Sequence, residues 1–268
     1  MSRKDNPEGR MPLIEHLIEF RNRVVKSALA MVVFSIVGWF TFDFVYAHLT
    51  APITEVARER GYDADKVALN FAGLTAAFST RINLALWTGL ILSSPVWLYQ
   101  AWAYIVPALT KREKKISLVF IGATIPLFLI GCGFGYWILP KAVNILLGFT
   151  PPNAYNLPEA ALYFRFVTRM ILAFGITWLL PVALVGLIAV GALPGRSLMR
   201  QWRPAMVVIF IVCAIVTPTP DAVTMFFMAA PLIVLYFVAA LIGLRFDKRR
   251  AANAPDWTKV SDDQASPL

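Results

Sequence analysis

The chain has 268 residues, of which 58% are hydrophobic and only 15% charged, whereas an average soluble domain carries about 25% charged residues. Six stretches, 27–42, 82–110, 116–140, 170–195, 204–220 and 222–244, contain no Asp, Glu, Lys or Arg. Most approach or exceed the roughly 20 apolar residues that cross a hydrocarbon layer, which excludes soluble, disordered and disulfide-framework classes and predicts an all-α membrane protein with six transmembrane helices.

In chain order, the expected organisation is a single integral membrane domain. Residues 1–11 form a flexible N-terminus, 12–245 the six-span core and 246–268 a disordered tail. Residues 12–26 read as an amphipathic helix entering the first span. Leu13, Ile14, Leu17, Ile18 and Val24 lie on its apolar face, and Glu15, Glu19 and Arg23 follow at i, i+4 on its polar face. Such a segment can equally be a surface helix lying in the headgroups. A polar connection over about 45–75 follows, opened by Ala51-Pro52-Ile53. A short interfacial piece then precedes a span at about 80–103, with Arg81 snorkelling to the surface. The third span, about 116–139, contains Pro126 and the fourth, about 166–190, contains Pro181, each a kink point. Between them, 140–165 reads as a structured loop rich in Pro and Asn. The fifth span is barely long enough to cross, so local thinning or burial against partners is expected.

Charge placement gives the orientation. Of the 25 Lys and Arg, 18 fall on the side of both termini and seven on the other. This positive-inside bias predicts cytoplasmic N- and C-termini, so the net +9 reports topology and no nucleic-acid partner. A cleaved signal peptide is disfavoured, because the long leading segment carries Asp5, Glu8, Glu15 and Glu19. Cys132 and Cys213 lie in uncharged stretches and read as packing residues, while His16 and His48 are isolated. No metal site or cofactor is expected.

The predicted bilayer midplane of every span lacks ionisable groups. That argues against an ion-coupled small-solute transporter and, with no acid/base cluster, against a membrane-embedded enzyme acting on lipid phosphates. Two acidic residues stand out in basic surroundings. Glu19 lies among Arg21, Arg23 and Lys26, and Glu113 among Lys111, Arg112, Lys114 and Lys115. Simple charge balancing is one explanation. The other is that each carboxylate takes a guanidinium from a ligand as a bidentate pair, a geometry that Lys cannot reproduce.

The stretch His16-Leu17-Ile18-Glu19-Phe20-Arg21-Asn22-Arg23 resembles the HLxELRxR signature of the twin-arginine translocase subunit TatC family. Ordered matches follow at Ala51-Pro52, Ser94 to Tyr104, Pro107 to Glu113, Phe174-Gly175…Pro181-Val182, and Thr217-Pro218…Pro220-Asp221. The resemblance covers about residues 12–245. It implies a non-enzymatic receptor in the cell membrane, with six spans in a concave, glove-like bundle. Such a receptor binds the twin-arginine signal peptides of folded precursors for export driven by the proton-motive force. Carried over by position, Glu19 and Glu113 would hold the paired arginines, and Arg21 and Tyr104 would shape that surface. Pro52 would support the external cap. Thr217, Pro218, Asp221 and Met225 would contact TatA- and TatB-like single-span subunits, and the receptor would self-associate within the complex. Leu179, Met225 and Phe237 replace polar residues common in the family, and Phe20 replaces the usual Leu.

Overall fold

A computed structural model describes residues 13–59, 69–105, 111–150, 158–190, 193–216 and 222–252. Among them the regular structure is all helical, joined by short turns and bends, with one isolated bridge between Asn70 and Glu159. The helices are α1 (Leu13–Phe40), α2 (Phe42–Glu59), α3 (Ala76–Leu92), α4 (Ser94–Ile105), α5 (Lys111–Gly148), α6 (Ala160–Thr177), α7 (Leu180–Val190), α8 (Gly195–Arg200), α9 (Trp202–Val216) and α10 (Ala222–Ala252).

The six apolar stretches of the sequence fall in α1, α3 with α4, α5, α6 with α7, α9, and α10. Four continuous spans are long and apolar enough to cross a membrane, and the bent pair α3–α4 makes a fifth. Helix α9, with 15 residues, is about 22 Å long at 1.5 Å per residue, short of a layer of about 30 Å. The chain is a multi-pass helical membrane protein.

Several boundaries differ from the sequence reading. The polar connection after the first span is largely helix. After a single turn residue at Thr41 the chain continues into α2, whose apolar stripe Leu49, Ile53, Val56 and Ala57 is buried. Alternation at helical spacing within a polar composition is what makes this segment a packed cap. Residues 140–148 belong to α5, which runs uninterrupted through both Pro126 and Pro140. Ala142, Val143 and Leu147 are buried there, and that packing outweighs the prolines' local penalty. Residues 245–252 continue α10, and Asp247 accepts the backbone N–H of Arg196 at 2.9 Å. The piece before the second span is not a separate helix. Asn70 pairs with the strand-like segment at 158–160, its N–H donating to Pro158 O at 3.1 Å and its carbonyl accepting from Ala160 N–H at 2.8 Å.

Proline shapes two spans. In the fourth, the helix breaks into a turn at Trp178-Leu179, just before Pro181, because Pro181 cannot donate to the Thr177 carbonyl. In the second, α3 and α4 meet at Ser93 with a bend of 54°. Pro95 removes the donor for Ile91, and the Leu90 carbonyl is taken instead by the Trp97 indole N–H at 3.0 Å and Ser93 Oγ at 3.2 Å.

The helices meet along seams of small residues. A Cβ on Gly38 would lie 2.7 Å from Ala85 O, and one on Gly89 would lie 2.8 Å from the Ser35 Cα, so α1 and α3 touch backbone to backbone. Gly131 and Gly135, four residues apart on α5, face Phe174 and Ile171 of α6 in the same manner. The main core fills the space between α2, α5 and α6, with Phe128, Ile138, Leu139, Val167, Met170 and Phe174 fully buried.

Candidate functional site

Helix α1 has 28 residues and is about 42 Å long, whereas its uncharged part begins only at Ser27. Its charged first turns therefore continue the span as one unbroken helix and do not form a separate surface helix. The apolar residues Ile14, Leu17, Ile18 and Val24 stay exposed. The side that is contacted is the one turned toward α4. The 54° bend at Ser93 carries α4 back against these turns, where Tyr104 stacks on His16 with ring centroids 4.5 Å apart and lies 5.4 Å from the Phe20 ring.

Glu19 sits at the edge of this contact. Arg23 Nε donates to Glu19 Oε1 at 3.0 Å, and its Nη2 donates to the same oxygen. Arg23 Nη1 reaches across to Gln100 Oε1 of α4 at 3.3 Å. Both charged side chains are 22% exposed, so the pair is worth more than a fully solvated one. The second carboxylate oxygen, Oε2, is covered and has no hydrogen-bond partner. A shallow open groove runs along the helix beside it, lined by Glu15, Ile18, Glu19, Asn22, Arg23 and Lys26. The arrangement is a charged stripe with one half-satisfied carboxylate, clamped by its own guanidinium.

The other residues singled out from the sequence are distributed as follows. Arg21 is exposed and contacts Asn22 Oδ1 at 3.5 Å; two residues on from Glu19, it points about 200° around the helix, so it is not part of the Tyr104 cluster. Glu113 falls in the first turn of α5, and its side chain lies outside the described residues. Pro52 is buried inside α2. The cap is pinned by the Tyr163 hydroxyl, which donates to Leu49 O at 2.7 Å, and by Tyr136, which donates to His48 O at 3.1 Å. Met225 packs half-buried against the main core from the first turn of α10, and Thr217, Pro218 and Asp221 lie outside the described residues. Leu179 and Phe237 are half-buried in apolar contacts. Arg81 does not snorkel free. Its guanidinium lies 4.8 Å from the Trp39 ring and 4.9 Å from Phe42, and donates to Trp39 O at 3.4 Å. The break at Thr41 supplies that aromatic box. Gln100 lies within the matched Ser94–Tyr104 motif but is not singled out by the sequence as a site residue; it is a lone amide in an aromatic helix, and its contact with Arg23 shows only in the structure. Among the described residues, no cluster of His, Cys, Asp or Glu could hold a metal ion.

Fold and site together define a multi-span helical membrane protein with a polar, charged patch where α4 packs against the first turns of α1. The family model described as "Sec-independent protein translocase protein (TatC)" matches residues 15–231. The chain is 42% identical over 240 residues to the Sec-independent protein translocase protein TatC of Xylanimonas cellulosilytica, covering 90% of this chain and 86% of that one. It is 32% identical to the TatCy protein of Bacillus subtilis, covering 92% and 95%. A crystal structure of the twin-arginine translocase receptor TatC shares the fold with a TM-score of 0.70 and 32% identity, over 86% of this chain and 99% of that one. The protein belongs to the TatC family. Membership makes it a protein-translocase component and not an enzyme, and the small-solute transporter and lipid-phosphate enzyme are no longer favoured.

Proposed function

We propose that this TatC-family protein is the receptor subunit that captures twin-arginine signal peptides at the end of the bundle formed by the α1 N-terminal turns, α4 and the start of α5. This end faces the cytoplasm of a cell membrane in our reading, and the captured precursors are passed on with TatA- and TatB-like partners. The observation that carries the reading is the Glu19 carboxylate. It already binds a guanidinium, that of Arg23, and still has one oxygen without a partner. A group built to hold one arginine has the chemistry to take another, and an uncompensated covered oxygen gains most from a charge-assisted donor. Glu113, at the start of α5, takes the second arginine. Gln100, which already accepts from Arg23 Nη1 at 3.3 Å, keeps a hydrogen-bond partner for that guanidinium when the ligand displaces it from Glu19.

The test is site-directed crosslinking or direct binding of a twin-arginine signal peptide to purified protein in mild detergent. Glu19→Ala and Glu113→Ala are each expected to weaken binding about tenfold or more, the scale of one lost charge-assisted pair, with membrane insertion unchanged. Unaltered binding in both variants would sink the assignment. A Lys-Lys peptide is expected to bind distinctly worse than Arg-Arg, because the bidentate geometry is lost; equal binding would mean generic charge attraction.

A further inference from the structure

A second charged feature lies far along the chain from Glu19. Helix α6 opens a span that runs from Ala160 to Ile188, yet it carries two arginines in its first three turns, Arg165 and Arg169. They are four residues apart and so share one face, and both are exposed. Among the described residues neither guanidinium has a hydrogen-bond or ion-pair partner. Arginine cannot shed its proton, and near the start of a span a guanidinium without a partner in the protein reaches toward the interface, where anionic groups are available to pair with it.

The neighbouring surface is shaped for one. Between α3 and α6 lies a cavity of about 120 Å³ lined by Ser79, Thr80, Asn83, Trp87, Arg165 and Thr168, among others. The hydroxyls of Thr80 and Thr168 bond back to the carbonyls of Ala76 and Phe164, and the Asn83 amide donates to Ser79 O. Ser79, Trp87 and Arg165 are further polar side chains lining the cavity, and Arg165 is the one that carries a charge. The space admits several waters or one phosphate group. It lies between residues 79–87 of α3 and 161–168 of α6, and in the proposed topology both helices enter the membrane from the same face, which puts it toward the headgroups of that side.

We propose that the α3–α6 groove is a phospholipid-binding site. Arg165 pairs with the lipid phosphate as a fork, Trp87 flanks the glycerol region, and Arg169 draws the same headgroup from one turn deeper. The acyl chains lie along the exposed apolar surface of α3, at Ile82 and Leu86. The chemistry recognised is a phosphate monoanion. The lipid is the source because the groove opens beside an apolar helix face, where a soluble ion would gain nothing from its surroundings.

Native mass spectrometry of the full chain, delipidated in detergent and then given phosphatidylglycerol, tests this. Wild type is expected to retain one phospholipid about tenfold more strongly than Arg165→Gln/Arg169→Gln, the scale of a lost charge-assisted pair. A charge-neutral control is Ala161→Phe, which fills the groove while keeping both arginines; it is expected to lose the lipid as well. Arg58→Gln, in the last turn of α2 and not lining the groove, is expected to retain it. Equal retention by wild type and the double variant, or full retention by Ala161→Phe, overturns the proposal. Inorganic phosphate at millimolar concentration is expected to leave the lipid in place. Complete displacement by phosphate alone would overturn the lipid as the occupant, leaving an anion site for soluble phosphate.

Discussion

At the residue scale, the decisive detail is that Arg23 spends two donors on one oxygen of Glu19 while Gln100 holds its third nitrogen. An internal guanidinium on the carboxylate is a competitor for a ligand's guanidinium. Arg23→Gln is therefore expected to strengthen twin-arginine peptide binding about two- to threefold, the weight of a modest ion pair released. Weaker binding, measured by the same peptide titration, would show instead that Arg23 orients Glu19 for the ligand. The pair itself was visible in the sequence as an i, i+4 spacing. Its state was not, because which oxygen is taken and what meets the other nitrogen depend on a side chain 77 positions away.

At the element scale, the proposed recognition patch depends on a bend. Pro95 was legible as a motif residue but not as the origin of a 54° turn, since proline in a span kinks, breaks or is absorbed according to its packing. Pro126 and Pro140 are absorbed in α5, whereas Pro95 and Pro181 mark breaks. Replacing Pro95 with Ala is expected to straighten α3–α4, separate Tyr104 from His16 and weaken peptide binding without loss of the folded protein. Double electron–electron resonance between labels at Trp39 and Tyr99 positions would read the angle, and an unchanged distance would refute the role of Pro95. The glycine seams give a stability counterpart. A Cβ at Gly195 would lie 2.3 Å from the backbone carbon of Gly243, where no rotamer change can relieve it. Gly195→Ala is expected to destabilise by about 1–3 kcal/mol, read as a lower Tm in detergent. An unchanged Tm would mean that α8 lifts off α10 at no cost.

At the scale of the whole molecule, the proposed topology of six spans with both ends of the chain on the cytoplasmic face rests on the excess of Lys and Arg assigned to that side. Single cysteines at Ala252, at the end of α10, and at Thr54, exposed on α2, are expected to label oppositely. A membrane-impermeant maleimide added to intact cells should reach Thr54→Cys and not Ala252→Cys. The reverse pattern would invert the topology and remove the recognition patch from the cytoplasm. The native Cys132 and Cys213 are buried and do not compete for label. The same proposed topology separates the two sites: the Glu19 patch lies at the start of α1, and the α3–α6 groove lies toward the opposite face, where those helices begin.

The sequence by itself determined the solvent, the positions of the apolar segments and the family. These follow from local quantities: runs without charge, the sidedness of basic residues, and ordered motifs read along the chain. It also indicated Glu19 and Glu113, through the oddity of acid among bases. Only the tertiary structure decided that the polar segment after the first span is a packed helix, that Arg81 is boxed by Trp39 and Phe42, and that α4 folds back to bring Tyr104 and Gln100 to α1. The physical reason is the same in each case. In a membrane the hydrophobic pattern marks what crosses but is nearly uniform around each helix, so it does not say which faces meet. That is settled by small-residue seams, proline breaks and individual polar contacts between residues distant in the chain.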